Sequence, residues 1–500
     1  MLKQKIKLDY YSNIILQLIQ IGASIVVARV AGATILGTVA FGTAFVSTFV
    51  FIADLGIGTA HMKLVSSEKG NLDRYIGTYA LIKFIFIGFF ILVILGFYLI
   101  RKFGFEYEFE SNTHEQVIFI SLIAITVQEL FSIPRVTFSG KLEVAKRVIP
   151  DFTMKILYNL IRVVVVLLGF GAVAIAFGKI AAALMVIPLY IYFFKSYTIG
   201  KPDKKLIQKY LSISVPVILI GVSTKFVDQF DKVLLQFFTN SENVGYYTAG
   251  FRFGAMVKMI GVAMGSVLMP DFSKSFAEKD PNTISRKIYR FERFSYIFIL
   301  PVILVVAIFS DVIVRVLLGA EFEPSIPIMT VITIATFVFV MSTPTGSVIT
   351  GAGKFKLSAI LNSLKLAVFL IFAIMLVHPD LNNMKGLGMA FAFLAANVSF
   401  FILNRKYSKS LCGSINNYIA IPYLVIGGLF FTGGFYIYQQ YCNSPVLKII
   451  FSIGFLSVYF AVYYLFQLIK KDDLQELKNV ISLGKMSDYV RDELGNKGKN

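Results

Sequence analysis

The feature that most constrains this chain is a succession of fourteen apolar runs, separated by short polar loops. About 20 apolar residues suffice for one helix to cross a hydrocarbon core of ~30 Å. Inside that core only α-helices and closed β-barrels satisfy every backbone polar group, and these runs are too long for barrel strands. Since the chain is 57% hydrophobic with a mean hydropathy of +0.74, the sequence predicts an all-α polytopic membrane protein.

The runs define the expected domain organisation. The predicted spans are 10–30, 34–60, 76–100, 116–139, 148–170, 172–194, 208–238, 243–270, 294–318, 325–351, 356–377, 384–404, 418–438 and 447–469. We expect an N-terminal lobe with the first six spans at 1–195, an inter-lobe loop at 196–207, a C-terminal lobe with the next six spans at 208–404, the last two spans within 418–469, and a tail at 470–500.

The loop charges predict the orientation. One set of alternate loops carries nearly all basic residues, whereas the other set carries acids such as Glu106, Glu108 and Glu110. Cytoplasmic loops of membrane proteins are enriched in Lys and Arg. We therefore expect both termini, the inter-lobe loop and the tail to be cytoplasmic. The net charge of +19 follows from these loops and does not indicate a nucleic-acid partner.

The sequence also contains two pairs of similar segments that suggest an internal repeat. A short loop leads to Gly37 at the start of the second span, and 208 residues later a similar loop leads to Gly245 at the start of the eighth. A second pair relates spans 4 and 5 to spans 10 and 11, where Pro134 and Gly140 correspond to Pro344 and Gly353. These similarities predict two six-helix lobes related by a parallel pseudo-repeat, plus two extra C-terminal helices. Transporters often bind substrate between such lobes.

Many ionisable residues fall inside the predicted spans. Each costs ~2.5–3.5 kcal/mol at the bilayer centre on insertion scales, so such residues need a partner or a wet cavity. The cations are Lys83, Arg135, Lys155, Arg162, Lys225, Lys232, Arg252, Lys258 and Lys365, and the acids are Glu129, Asp151, Asp228 and Asp231. The excess of cations predicts a water-filled central cavity that favours an anionic substrate.

The spacing of these charges separates two roles. Asp228 with Lys232, and Asp151 with Lys155, lie at i,i+4, so intrahelical pairing is an alternative to function for them. The substrate-binding candidates are Arg162, Lys225, Arg252, Lys365 and Lys155, most of which have no acid one turn away. The candidates for binding H⁺ or Na⁺ are Asp228, Asp231 and Glu129. The sequence has no nucleophile–base pair and no Cys/His metal spacing, so we expect no catalytic residue, metal or cofactor.

The first two spans resemble a known family. The pattern consists of Ala28, Arg29, Gly32, Leu36, Gly37, Ala40, Phe41 and the run Phe51–Ala60 with Asp54, Gly56 and Gly58. It is similar to the Wzx-type flippases, the polysaccharide transporter branch of the MOP superfamily, as are Gly245-Tyr246 and the turn at Gly351–Lys354. The resemblance implies a two-lobed transporter in the bacterial cytoplasmic membrane. Its implied substrate is an undecaprenyl-diphosphate-linked oligosaccharide, flipped to the outer leaflet for O-antigen, capsule or another surface polysaccharide.

Three other functions stay open at this point. A lipid II-type flippase shares the logic of a cationic cavity, whereas a MATE-type drug or cation antiporter would need an acidic one. A polysaccharide polymerase or ligase would be an enzyme with one large outer loop, and the longest outer loop here is only 101–115. The expected partners are the lipid-linked glycan, membrane lipids and the polysaccharide polymerase machinery.

Overall fold

The computed structural model describes residues 2–67, 71–100, 109–258, 268, 272–276, 278, 280–412, 420–441, 444–466 and 468–469. Within these ranges it describes all side chains apart from those of 2–11, 14, 215–228, 257, 281, 420–421, 445–446 and 449. The described structure is helical throughout, as the apolar runs predicted.

Seven helices form the N-terminal half. They are α1 (Leu2–Thr48), α2 (Ile57–Ser67), α3 (Leu72–Leu99), α4 (Asn112–Leu130), α5 (Ser132–Gly140), α6 (Val144–Leu167) and α7 (Ala172–Phe194). The C-terminal half follows with α8 (Lys204–Phe238), α9 (Ser241–Gly254), α10 (Pro281–Phe294), α11 (Leu300–Ile308), α12 (Ser310–Leu317), α13 (Ser325–Gly351), α14 (Phe355–Val377) and α15 (Lys385–Cys412). Two further helices are described after these, α16 (Ala420–Tyr441) and α17 (Pro445–Leu465).

Eight of the described helical segments are long and apolar enough to cross a membrane. They belong to α1, α3, α4 with α5, α7, α10 with α11, α13, α14 and α15. The protein is therefore a multi-pass membrane protein, and the count of fourteen spans stays a prediction. Helices α6, α8 and α9 are not among the eight. These are the helices on which the sequence places most of the intramembrane charges.

Several predicted spans are broken in the structure. Gly32 interrupts α1 with φ +77°, which fits the predicted boundary between the first two spans. The predicted single helix at 34–60 is wrong, because α1 ends at Thr48 and α2 begins only at Ile57. Between them lie a short 3₁₀ turn and Gly56 at φ +78°, and the Asp54 carboxylate accepts a bond from the Gly58 N–H (3.1 Å) at the start of α2. A glycine and a capping acid explain this break, since together they end one helix and begin another.

The helices share an extensive apolar core. One cluster joins α1, α3 and α4 to α8, α9, α13, α14 and α15, so both halves contribute to it. A second cluster packs α16 and α17 against α11 through tyrosine and phenylalanine rings. At one end, Asp311 of α12 accepts from Lys448 Nζ (2.8 Å) and from Tyr438 Oη (2.6 Å). The last two helices are thus fixed to the C-terminal half.

Candidate functional site

A cavity of about 590 Å³ lies between the two halves of the molecule. Helices α1, α6 and α7 form one side of it, and α8 and α9 form the other. Five cationic side chains line it: Arg162, Lys179, Lys232, Arg252 and Lys258. Among the side chains that the structure describes, no acidic residue lines this space. The arrangement therefore has the sign of charge that attracts anions.

Two arginines from opposite halves meet at one serine. Arg162 of α6 donates through Nη2 to the Gln20 carbonyl and to Ser24 Oγ, both at 3.0 Å. Arg252 of α9 donates through Nη1 to the same Ser24 Oγ. Both guanidinium groups thus have neutral partners, and Arg162 Nε is buried without any hydrogen bond to a described residue. Two like charges at one hydroxyl repel each other, and an anion between them would relieve the repulsion.

Lys179 is a third cation of this group, and it was missed in the sequence. It projects from the apolar helix α7, donates to Thr43 Oγ1 (2.6 Å) and lies 5.7 Å from the ring centre of Tyr158. The Arg162 guanidinium lies over the same ring at 5.6 Å. The available signal was a lone lysine within an otherwise uncharged run of 23 residues, which is costly inside a membrane unless it serves a site. We call Arg162, Lys179 and Arg252 the cation trio.

The other proposed substrate ligands lie elsewhere. Lys155 is exposed on α6 and does not line the cavity, and its i,i+4 neighbour Asp151 pairs instead with Arg135 (3.0 Å). Lys365 lies over the rings of Phe339 (5.2 Å) and Phe400 (4.9 Å) and is not among the lining residues either. Asp151 and Lys155 therefore do not form the intrahelical pair that was the alternative to a functional role for them.

Two of the three acids that were expected to bind a coupling ion are found in ion pairs. Asp231 is 3% exposed, accepts from Tyr247 Oη (2.9 Å) and pairs with its neighbour Lys232 (2.9 Å). Glu129 pairs with Lys83 Nζ at 2.6 Å. Lys225 and Asp228 lie on α8, but their side chains fall outside the described residues.

Lys83 is the centre of a second charged region, inside the N-terminal half. It is fully buried and lies between Glu129 of α4 (2.6 Å) and Asp54 (3.9 Å). The neighbouring Asp151 carboxylate accepts from Arg135 Nε (3.1 Å) and Tyr190 Oη (2.5 Å). We call these residues the ion-pair network. Each described cation in it has a carboxylate within 4 Å, unlike the cation trio.

The cavity is closed on one side by direct backbone contact between the halves. A Cβ atom on Gly37 of α1 would lie 1.7 Å from the Ser241 carbonyl oxygen, and one on Gly245 of α9 would lie 2.0 Å from the Ala33 carbonyl oxygen. The contact is reciprocal, because each glycine lies four residues after the carbonyl that the other glycine touches. Only glycine permits such a close approach of two helices.

Polar groups hold the same contact together. Glu110 Oε2, from the segment before α4, accepts from the Ser241 N–H (2.9 Å), Ser241 Oγ (2.6 Å) and Gln236 Nε2 (2.6 Å). His114 Nε2 also lies 2.6 Å from Ser241 Oγ. Burial alone would raise the pKa of Glu110, but the bonds from Ser241 and Gln236 outweigh it and hold that pKa below its ordinary value. We call this contact the outer closure, because the orientation predicted from the loop charges would put it on the outer side.

Comparison with known proteins finds similarity to membrane transporters. It is 20% identical over 462 residues to a protein described as the probable low-salt glycan biosynthesis flippase Agl15 of Haloferax volcanii, a match that covers 91% of this chain and 94% of that protein. The fold is similar to that of the lipid II flippase MurJ in an inward closed conformation, with a TM-score of 0.72, 15% identity, and coverage of 92% of this chain and 99% of that one.

It is also similar to a multidrug resistance MATE family transporter of the MOP superfamily in an inward-facing conformation. That comparison has a TM-score of 0.67 and 13% identity, and it covers 80% of this chain and 95% of the other. The family profile described as "Polysaccharide biosynthesis protein" matches residues 26–327, more than half of the sequence. With the fold of the MOP superfamily and a match of this extent, the chain belongs to the polysaccharide biosynthesis protein family.

Proposed function

We propose that this protein is a flippase that moves an oligosaccharide linked to undecaprenyl diphosphate across the bacterial cytoplasmic membrane. The observation that carries the proposal is the cavity with five cations and no acid among its described side chains. Arg and Lys are the natural partners of phosphate oxygens, and Arg binds them through a planar fork of donors. The head group of a lipid diphosphate is anionic, and its lipid tail can stay in the bilayer while the head crosses between the halves.

The relatives support the same class of substrate. The curated relative is named as a glycan biosynthesis flippase, and the structural neighbour with a TM-score of 0.72 is a lipid II flippase. A flippase of the lipid II type is therefore the second candidate. A MATE-type cation antiporter shares the fold, but acids in the cavity would serve it better. A transporter rather than a polymerase or ligase is favoured by the family, and the polymerase machinery stays an expected partner.

The proposed architecture is two lobes at 1–195 and 208–404, the loop 196–207, two extra spans within 418–469 and the tail 470–500, with fourteen spans and both termini cytoplasmic. The reciprocal contact of Gly37 and Gly245 supports a pseudo-repeat, because equivalent positions of the two lobes would meet at such a symmetry axis. In alternating access, the outer closure opens to release the head group. The state described here is closed at that contact.

Coupling to an ion gradient is the remaining part of the proposal. Outward movement of an anion is favoured by an inside-negative potential, by ~2.3 kcal/mol per charge per 100 mV. The return of an empty cationic cavity is then the unfavourable half of the cycle. We propose that H⁺ or Na⁺ binds at Asp231, Glu129 or Asp228 during this return. The ion pairs of Asp231 and Glu129 are the alternative, in which these acids only neutralise Lys232 and Lys83.

The test is a flipping assay in liposomes that contain the purified protein and a fluorescent undecaprenyl-diphosphate oligosaccharide. We expect protein-dependent flipping that is lost in Arg252→Gln and that responds to an imposed H⁺ or Na⁺ gradient. Asp231→Asn, Glu129→Gln and Asp228→Asn should identify which acid carries the gradient response. Flipping equal to that of empty liposomes would refute the function, whereas a gradient response unchanged in all three variants would refute only the coupling sites.

A further inference from the structure

The cavity contains polar groups that a phosphate cannot satisfy. Asn159 of α6 is 2% exposed and lines the cavity one turn before Arg162. Its Nδ2 donates to the Lys155 carbonyl (2.7 Å), which fixes the orientation of the amide, and its Oδ1 has no hydrogen-bond partner among the described residues. A buried carbonyl oxygen without a donor costs free energy, so it points to a ligand that brings a donor.

An ionised phosphate brings acceptors only. It can satisfy the unpaired Arg162 Nε but not Asn159 Oδ1. A sugar hydroxyl both donates and accepts, as does a side-chain amide. A ligand that satisfies both unpaired atoms must therefore carry a hydrogen-bond donor as well as an acceptor, within one helical turn, ~5 Å along the axis. A phosphate attached to a sugar presents both groups at that scale.

Three further amides line the same cavity. Gln17 and Gln20 lie on α1 one turn apart, and Gln229 faces them from α8 in the other half. Their side-chain amides make no hydrogen bond to another described residue. Gln20 also supplies the backbone carbonyl that binds Arg162 (3.0 Å), so it lies directly beside the cation trio, and Gln17 and Gln229 line the same cavity. We call Gln17, Gln20, Asn159 and Gln229 the amide wall.

We infer that the amide wall binds the hydroxyl groups of the sugar attached directly to the phosphate. The cation trio then holds the phosphates, and the cavity distinguishes head groups by their first sugar as well as by their charge. This inference rests on the proposed function, because it assigns a second part of the same substrate to the same cavity. It predicts that the two parts of the site can be removed separately.

The test is direct binding to the purified protein in detergent. The probes are farnesyl diphosphate and its glucosyl, galactosyl, N-acetylglucosaminyl and N-acetylgalactosaminyl derivatives. We expect at least one glycosylated probe to bind about tenfold more tightly than farnesyl diphosphate, the size expected for one or two neutral hydrogen bonds. The double variant Gln17→Leu/Gln229→Leu, at two partly exposed positions, should lose this preference and keep its affinity for farnesyl diphosphate within about twofold.

Arg162→Gln is the matched control, because it should weaken all five probes by the same factor. Asn159→Leu is a second amide variant, and its folding is checked by size-exclusion profile and thermal unfolding. Equal binding of all five probes by the wild type would overturn the inference and leave the proposed function standing. A preference that survives in both amide variants would also overturn it. Wild-type protein that binds none of the probes would refute the proposed function together with the inference.

Discussion

The two charged regions of this molecule surround their cations with opposite kinds of partner, carboxylates in one and neutral groups in the other. In the ion-pair network, Lys83 is fully buried but lies 2.6 Å from Glu129 and 3.9 Å from Asp54. In the cation trio, the partners of Arg162 and Arg252 among the described residues are all neutral: a serine, a backbone carbonyl and the ring of Tyr158. Pairing is sufficient to let a charge exist inside a membrane. An intramembrane charge therefore indicates substrate binding only where its partners are neutral.

The largest effect is expected from the trio. We expect Arg162→Gln combined with Arg252→Gln to reduce flipping by about 100-fold or more, because charge-assisted hydrogen bonds contribute ~1.5–3 kcal/mol each and 1.4 kcal/mol is about tenfold. The variant should fold as well as the wild type, since the repulsion between two buried cations is removed. Lys155→Gln, on the exposed face of α6, is the control and should change flipping by less than about twofold. If both variants reduce flipping to the same extent, the contrast between the cation trio and the other intramembrane cations is wrong.

The second-largest effect is expected from the ion-pair network, and it is a change in stability rather than in transport. Lys83→Met should leave Glu129 buried without its partner and lower the free energy of unfolding by about 3 kcal/mol, the low end for a buried pair, because Glu129 is 23% exposed. Adding Glu129→Gln should restore most of the loss. Thermal unfolding in detergent measures both variants. A double variant as unstable as Lys83→Met alone would show that the pair is not what stabilises this region.

A smaller effect is expected from Lys179. Among the described residues its ammonium group binds Thr43 and lies over the ring of Tyr158, so it is a peripheral member of the trio. Lys179→Gln should reduce flipping by about tenfold, the value of one charge-assisted bond, and should leave the unfolding temperature unchanged or raised. A stability loss like that of Lys83→Met would instead place Lys179 with the structural charges.

The smallest effect concerns the outer closure, where a carboxylate has neutral partners. The bonds from Ser241 and Gln236 lower the pKa of Glu110 in the closed state. Their contribution is therefore fully present above the ordinary pKa of 4.5 and is lost as the pH falls through the lowered value. The fraction of closed protein, measured in liposomes by the distance between spin labels across the closure, should decrease as the pH falls below 4.5. Glu110→Gln should abolish that dependence, and a pH response that persists in this variant would contradict the assignment.

The sequence predicted an all-helical membrane protein and a cavity lined by cations, but not the pairing of its charges. Hydrophobic run length is a local property, so helices such as α7, α13 and α14 follow from it directly. Pairing depends on contacts between distant segments. Asp151 pairs with Arg135 of the preceding helix instead of Lys155, and no spacing along one helix could reveal that. The break at Asp54 was missed because a continuous apolar run conceals a local turn.

The same dependence on contacts between distant segments limited the prediction of the site. Arg162 and Arg252 were identified because each lacks an acid one helical turn away. Lys179 was missed because its importance depends on the approach of α1 and α6 to α7, which only the fold supplies. Gln17 and Gln229 lie 212 residues apart in the sequence, and they line one cavity only because the two halves meet there.

The most direct test of the account is the charge preference of the cavity. Binding of farnesyl diphosphate and of the lipophilic cation tetraphenylphosphonium to the purified protein should be measured side by side. We expect the diphosphate to bind, the cation not to bind, and the variant Arg162→Gln/Arg252→Gln to lose about 100-fold in affinity for the diphosphate. Tighter binding of the cation than of the diphosphate, or diphosphate affinity that is unchanged in the variant, would contradict the central claim that the cation trio between the two halves binds an anionic lipid head group.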